Sequence, residues 1–218
     1  LVVDWMRVGF IHGVMNTDNM TLSGGTIDYG PCAFMDKYNP KTVFSSIDQL
    51  GRYSYENQPI ITQWNIARFT ETMLPMISLN SEEAIEIAED IIKSVPKIYH
   101  TKWLQMMRNK LGLLEIDRGD EKLIKSLLNW MNKFEVDYTN TFLDIMNKDY
   151  DKNAIYNNVE FKVWLKNYTK RKEKNNFNEL DSMNLMQKNN PKIIPRNYIV
   201  EKILVDASEN NYASLNEF

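Results

Sequence analysis

Apolar residues recur at helical spacing through most of this chain, from residue 60 to residue 207. Repeats of three and four residues place apolar side chains on one face of a helix, and that face must be buried against a neighbouring element. The chain is therefore constrained to fold as packed helices, and we expect a mainly α protein. The predicted helices cover residues 60–77, 80–112, 120–134, 138–146, 158–175, 180–186 and 196–207.

Sequence signals mark several helix ends. Asn80, followed by Glu83, is a capping pair for the start of a helix. Pro96 should kink or restart that helix, and Asp120 should cap the next one. The asparagines at 175, 176 and 178 should interrupt the pattern once more. These signals divide the periodic stretch into individual helices.

The first sixty residues have a different pattern. Residues 1–12 are apolar nearly all round, which predicts a buried helix that ends at Gly13. Residues 20–27 predict one short β-hairpin near the N-terminus, because two consecutive glycines suit a two-residue turn with positive φ. Residues 30–59 contain several prolines and aromatic residues, and we expect a long ordered loop there.

The composition narrows the classes of function. The chain has 218 residues, 43% of them hydrophobic, which is enough for the core of one globular unit. Its net charge of −3 gives no basic field for a nucleic acid, and no apolar run reaches the roughly 20 residues of a membrane helix. Cys32 has no second cysteine to pair with, which fits a reducing compartment. We therefore expect neither a nucleic-acid partner nor a membrane span.

Residues 12–30 carry the polar side chains of a candidate active site. Against the H-R-D-x-x-x-x-N loop and D-F-G tripeptide of protein kinases, His12 takes the His position, Val14 the Asp position and Asn19 the Asn position. The tripeptide becomes D-Y-G and begins at Asp28. The predicted hairpin would bring Asp28 back beside Asn19, and their amide and carboxylate oxygens are ligands that Mg²⁺ prefers. The sequence thus predicts that both bind a divalent cation that neutralises nucleotide phosphates.

Asp18 is the candidate general base, because it is the only nearby carboxylate on the same loop. Two structural interpretations stay open beside this one. Asp18 and Asn19 also suit a turn in which their side chains bond to the backbone, and Asp28 also suits a loop position at the end of a strand. We expect His12 to hold the loop by a hydrogen bond rather than to act as a base.

Several further polar residues have candidate structural or binding roles. Arg52, Tyr53 and Asn57 occupy the place of a kinase activation segment, where they would either line a peptide groove or fix the loop, and we favour the second. Arg68 and Arg196 are candidates for buried ion pairs. Neither set assigns an activity.

Longer motifs link the loop to a known family. The strings HGVMNTDNM, TIDYGP, GRYSYENQP and WN-x-x-R are found between residues 12 and 68. Weaker matches follow at KLGL, which begins at Lys110, and at NNPKIIPRNYIVEKI, which begins at Asn189. Together these strings resemble the selenoprotein O family, also called the YdiU family, whose members are pseudokinase-fold protein adenylyltransferases.

The resemblance implies a fold, an activity and roles for three residues. It implies a protein-kinase-like C-lobe over residues 1–112 and a helical C-terminal extension over residues 113–218, packed on the same unit. By position, Asp18 matches the proton acceptor, and Asn19 and Asp28 match the ligands of Mg²⁺ or Mn²⁺, with Asp28 also against the phosphates of ATP. The implied reaction moves AMP from ATP to Ser, Thr or Tyr hydroxyls of protein substrates.

The family's N-terminal lobe, with its nucleotide-clamping lysine, has no counterpart in these residues. We therefore expect a fragment that is inactive, or nearly so, by itself. The alternatives are a true protein kinase and a helical interaction module that keeps a kinase-like loop as scaffold. The family resemblance implies the cytoplasm for a bacterial source and allows the mitochondrion for a eukaryotic one.

Overall fold

The computed structural model describes residues 1–174 and 178–217. It confirms a mainly α protein with one small antiparallel sheet near the N-terminus. Of the three asparagines where a break was predicted, Asn175 and Asn176 lie outside the described residues, and Asn178 caps the helix that follows. The helices are α1 Val2–Val8, α2 Gln58–Ile77, α3 Ser81–Lys110, α4 Asp120–Lys133, α5 Tyr138–Asn147, α6 Val159–Lys172, α7 Glu179–Asn189, α8 Asn197–Ser208 and α9 Ala213–Glu217, and the strands are β1 Phe10–Ile11 and β2 Ala33–Phe34.

The first helix is shorter than predicted, and the hairpin was predicted in the wrong place. Helix α1 ends at Val8 because Gly9, at φ 74°, turns the chain into the left-handed region. Strand β1 then pairs with β2, so the strands flank residues 12–32 instead of lying within residues 20–27. Of the two glycines expected to make the turn, only Gly24 has positive φ, whereas a type I′ turn needs it at both positions.

Asn80 caps α3 as predicted, but Glu83 does not complete the capping box, because its carboxylate accepts from the Ser78 hydroxyl at 2.7 Å. The proline at residue 96 does not divide the helix. The Asn80 side chain accepts hydrogen bonds from the backbone N–H groups of Glu82 and Glu83. These bonds satisfy two donors that a helix start would otherwise leave unpaired. Helix α3 then continues through Pro96 to Lys110. The result is a long helix that packs along α2 and also contacts α1, α4 and α7.

Asp120 does not cap α4 as predicted. It is the first residue of that helix, and its fully buried carboxylate accepts hydrogen bonds from Nε of Arg108 at 2.7 Å and Nε of Arg171 at 2.6 Å. Burial alone would raise the pKa of Asp120, but hydrogen bonds from Arg171, the Asp117 backbone and Arg108 outweigh it and lower the pKa. The carboxylate therefore ties together α3, α4 and α6.

The two weaker motifs of the sequence meet in space at the end of α3. The ammonium group of Lys110, which is buried, donates to the carbonyl oxygen of Arg7 at 2.8 Å, and Asn190 Nδ2 donates to the carbonyl oxygen of Lys110 at 2.9 Å. Ser182 donates to the carbonyl oxygen of Gly112 at 2.8 Å, and a Cβ on that glycine would lie 2.3 Å from the Ser182 hydroxyl. Residue 112 must therefore be small for Ser182 to approach it. Together, these hydrogen bonds join α1, α3 and the α7 region.

One hydrophobic cluster contains residues between Val2 and Met186, including Trp5, Ile11, Met107, Phe142 and Phe161. Burial of such side chains is the main stabilising term of the fold. Among residues 1–174 and 178–217, no helix has the length and apolar character needed to span a bilayer.

Candidate functional site

The candidate site is the loop of residues 12–32, which leaves β1 and returns to β2. Pairing of Phe10 with Phe34 and of Ile11 with Ala33 closes the base of this loop. Just inside the base, Gly13 adopts φ 85°, and a Cβ there would lie 2.7 Å from the carbonyl oxygen of Pro31. The two arms of the loop can approach this closely only because residue 13 is glycine.

His12 holds the far end of the loop from inside the protein. Its ring is fully buried beside Trp5, with 5.4 Å between ring centroids. Nε2 lies 2.8 Å from the carbonyl oxygen of Ile27, and Nδ1 lies 3.4 Å from the backbone nitrogen of Val14. A carbonyl only accepts hydrogen bonds, so the proton is on Nε2, and Nδ1 accepts. The ring therefore supports the loop, as the sequence predicted.

Asn19 is held so that its amide oxygen is left available. It ends the short 3-10 turn Thr17–Asn19 and is 9% exposed. Its Nδ2 donates to the carbonyl oxygen of Val14 at 3.1 Å. No group of the described residues donates to its Oδ1. The side chain is thus oriented by its nitrogen while the oxygen remains a possible metal ligand in chemical terms.

Asp28 follows the residue that His12 anchors. Its φ of 55° lies in the left-handed region, which Asp tolerates better than most side chains. The backbone N–H of Gly30 donates to the Asp28 carbonyl at 2.8 Å and tightens this bend. The carboxylate is exposed, and no described residue binds it. Backbone strain of this kind is concentrated at functional sites.

Asp18 precedes Asn19 on the same turn, and its carboxylate is exposed, without a partner among the described residues. The structure therefore brings Asp18 and Asn19 together on one turn. It links Asp28 to them through residues 12–14, because His12 holds Ile27 and Val14 holds Asn19. Within residues 1–174 and 178–217, no group of three or more His, Cys, Asp or Glu side chains is arranged to hold a metal ion.

Helix α2 fixes the loop through two buried side chains that the sequence analysis missed. Gln58 donates from Nε2 to the carbonyl oxygen of Phe10 at 3.0 Å and accepts from the backbone of His12 at 3.0 Å. Asn65 donates from Nδ2 to the carbonyl oxygen of Met15 at 2.9 Å. Two amides seven residues apart lie on one face of a helix, and their place in an apolar stripe was the available signal.

The activation-segment-like loop is fixed to itself and to the candidate site, as favoured from sequence. Asp48 accepts from the backbone nitrogens of Arg52 and Tyr53 at 2.9 and 2.8 Å. Asn57 Nδ2 donates to the carbonyl oxygen of Gly51 at 2.8 Å. The Tyr53 hydroxyl donates to Oδ1 of Asn16 at 2.5 Å, which attaches this loop next to the turn that carries Asp18.

Cys32 is the last residue of the loop, directly before β2, and is partly buried. Burial raises the pKa of its thiol, while a backbone hydrogen bond opposes the rise. A thiol with a raised pKa is protonated at neutral pH and is a poor nucleophile. Cys32 therefore fits the role of a packed side chain.

The family described as protein adenylyltransferase SelO matches residues 1–218. Protein nucleotidyltransferase YdiU of Pelagibacter ubique (strain HTCC1062) is 54% identical over 217 residues, covering 100% of this chain and 45% of the relative. The YdiU of Nitrosococcus oceani (strain ATCC 19707) is 49% identical over 218 residues, covering 100% and 44%. That of Clostridium perfringens (strain ATCC 13124) is 49% identical over 212 residues, covering 97% and 43%. The chain thus spans less than half the length of these relatives.

Proposed function

This chain belongs to the protein adenylyltransferase SelO family, and from that premise we propose that it carries the metal-binding and base residues of an enzyme that transfers AMP from ATP to protein hydroxyl groups. The acceptors are Ser, Thr or Tyr side chains of protein substrates. The relatives named above are bacterial, and the reaction is assigned to the cytoplasm, where ATP is present and a lone cysteine such as Cys32 stays reduced.

The donor set at the loop suits Mg²⁺ or Mn²⁺. Oδ1 of Asn19 and the carboxylate of Asp28 are oxygen atoms without partners among the described residues. Hard divalent cations prefer such oxygens and complete their coordination with phosphate oxygens and water. When bound, the ion would neutralise charge on the ATP phosphates. Asn19 and Asp28 would hold it, and Asp28 would also lie against the phosphates.

Asp18 is assigned the role of proton acceptor. Its exposed carboxylate would accept the proton of the acceptor hydroxyl, whose oxygen then forms a bond to the α-phosphorus of ATP. The bond between the α-phosphorus and the bridging oxygen breaks at the same centre, and pyrophosphate leaves with the electron pair. AMP is then esterified to the protein, and Asp18 returns its proton to water.

One observation supports this proposal: the Asn19 side chain and the residue that precedes Asp28 are both bonded to residues 12–14. The Asn19 amide bonds to Val14, and the ring of His12 bonds to the residue before Asp28. A site assembled from positions 19 and 28 needs such a link, because the intervening residues form no strand pair.

The test uses a chimera in which this chain replaces the matching 45% of the Pelagibacter ubique relative. We propose that the remaining length of that relative is needed for transfer. ATP labelled at the α-phosphate should label protein, and ATP labelled at the γ-phosphate should not. Asp28→Ala should abolish labelling, whereas Asp90→Ala, at an exposed position on α3, should not.

Two outcomes would reject the proposal, and each would favour a different alternative. Labelling from the γ-phosphate would indicate a protein kinase. No labelling from either position, together with unchanged metal binding in Asp28→Ala, would indicate a helical interaction module.

A further inference from the structure

Two arginines and two aromatic rings form a surface cluster beside the candidate site. The guanidinium carbon of Arg52 lies 5.0 Å from the ring centroid of Trp64 and 5.7 Å from that of Tyr53. The guanidinium carbon of Arg68 lies 5.5 Å from the same Trp64 ring. We call Arg52, Tyr53, Trp64 and Arg68 the arginine platform. Cation–π contacts of this kind orient a guanidinium without using its N–H donors.

Arg52 has its hydrogen-bond donors free. No described residue accepts a hydrogen bond from its guanidinium or pairs with it as an ion, whereas Arg68 is paired with Glu71 at 2.5 Å. The Arg52 side chain is exposed, but its backbone is held because the N–H groups of Arg52 and of the next residue, Tyr53, both donate to the Asp48 carboxylate. A planar guanidinium held in this way is ready to bind a carboxylate or phosphate through two parallel hydrogen bonds.

The platform is attached to the part of the loop that carries Asp18. The Tyr53 hydroxyl bonds to Asn16, two residues before Asp18. Asn65, next to Trp64, bonds to Met15. Asp28 is held separately, through His12 and Ile27. A base must touch the acceptor hydroxyl, so groups attached beside Asp18 are placed to contact the acceptor protein.

We propose that the arginine platform binds an acidic side chain of the acceptor protein, with Arg52 as its main contact, and that hydroxyls flanked by Asp or Glu are therefore preferred. This inference rests on the proposed AMP transfer for its biological meaning. It deepens that function by naming a class of substrate. An acidic side chain is the expected ligand because the Arg52 guanidinium is positively charged and lies over two aromatic rings at the surface.

Peptide binding to the 218-residue chain tests the platform directly. Two fluorescein-labelled peptides would share one acceptor tyrosine and differ only in flanking Glu or Gln. We expect the Glu peptide to bind about tenfold more tightly in fluorescence anisotropy at low salt. Arg52→Gln should remove that difference, Arg52→Lys should keep part of it, and Arg118→Gln, at an exposed arginine between α3 and α4, should leave it intact. Circular dichroism would show that each variant remains folded.

Equal binding of the two peptides by the unmodified chain would overturn the proposal. So would an equal loss for both peptides in Arg52→Gln. If Arg52→Gln weakened MgATP binding and left the Glu peptide unaffected, the platform would be a nucleotide contact, which also overturns it.

The chimera separates this inference from the proposed function. If it transfers AMP, Arg52→Gln should raise KM for the Glu peptide severalfold at nearly constant kcat. If it transfers none, the proposed function fails, while the anisotropy difference still decides whether the platform recognises acidic segments.

Discussion

The Nε2 atom of His12 lies 2.8 Å from the carbonyl oxygen of Ile27, the residue before Asp28. The same ring accepts from the backbone of Val14, whose carbonyl oxygen in turn accepts from the Asn19 amide. One buried side chain therefore connects the two positions assigned to the metal.

His12→Phe should weaken metal binding while keeping the ring packed against Trp5. The variant loses the bonds to Ile27 and Val14, and a lost buried hydrogen bond costs about 1–3 kcal/mol. We expect the affinity of the chimera for Mn²⁺ in the presence of ATP, measured by electron paramagnetic resonance, to fall about tenfold. His100→Phe, at a half-exposed histidine on α3, is the control. Unchanged affinity in His12→Phe would show that the ring does not position the ligands.

Gly13→Ala should destabilise the loop more than Gly24→Ala does. Both glycines have positive φ, but a Cβ at residue 13 meets the Pro31 carbonyl oxygen at 2.7 Å, and a Cβ at residue 24 meets nothing within 4 Å. The conformational cost of about 1 kcal/mol is common to both. Urea unfolding should therefore show an additional loss of about 1 kcal/mol or more for Gly13→Ala. Equal losses would mean that the two arms of the loop do not touch.

Asp120→Asn should cost about 3–5 kcal/mol of unfolding free energy, because Arg108 and Arg171 would then be buried without their carboxylate. The lowered pKa of Asp120 also sets a pH dependence. The Asp120 carboxylate binds a proton more weakly in the folded state than in the unfolded state. Its contribution to the free energy of unfolding is therefore complete above the ordinary pKa of 3.8 and is lost as the pH falls through the lowered pKa. Asp151→Asn, at an exposed site, is the matched control. A loss below 1 kcal/mol would contradict this assignment.

Lys110→Met should change how stability depends on alkaline pH. Burial, and then the positive charge of Arg7, lower the pKa of Lys110 well below 10.5. The unfolded chain therefore binds more protons between that lowered pKa and 10.5, and stability rises with pH across this interval. Urea unfolding at pH 7 and pH 10 should show the unmodified chain gaining stability relative to Lys110→Met. Lys162→Met, at an exposed lysine of α6, should show no such difference. If the stability difference between the unmodified chain and Lys110→Met did not change with pH, the lowered pKa of Lys110 would be contradicted.

The sequence predicted the helices well because amphipathic periodicity and the Asn80 cap are local signals. It placed the end of α1 at Gly13, although Gly9 offered the same local signal four residues earlier. It failed for another reason where tertiary contacts decide: residues 20–27 form no hairpin, and Trp5 bonds to Thr26 and Asn65 to Met20 instead. The buried role of Asp120 was invisible because its partners lie 12 and 51 residues away.

Of the two buried ion pairs predicted from the sequence, one is confirmed and one is wrong. Arg196 is a largely buried partner of Asp36 and Asp137, as predicted. Arg68 pairs with Glu71, three residues away, but its side chain is 46% exposed, so the prediction of a buried pair was wrong. At the candidate site, residues 18, 19 and 28 were predicted from motif spacing and remain a prediction, whereas the contacts of Gln58 and Asn65 with the loop are visible only in the packing of α2.

The most direct test of the central claim is a crystal structure of the chimera with Mn²⁺ and ATP, using the anomalous signal of manganese to locate the ion. We predict one peak at about 2.1–2.2 Å from both Oδ1 of Asn19 and the carboxylate of Asp28, absent in crystals of Asp28→Ala. A manganese ion that binds ATP without contacting both side chains would contradict the assignment.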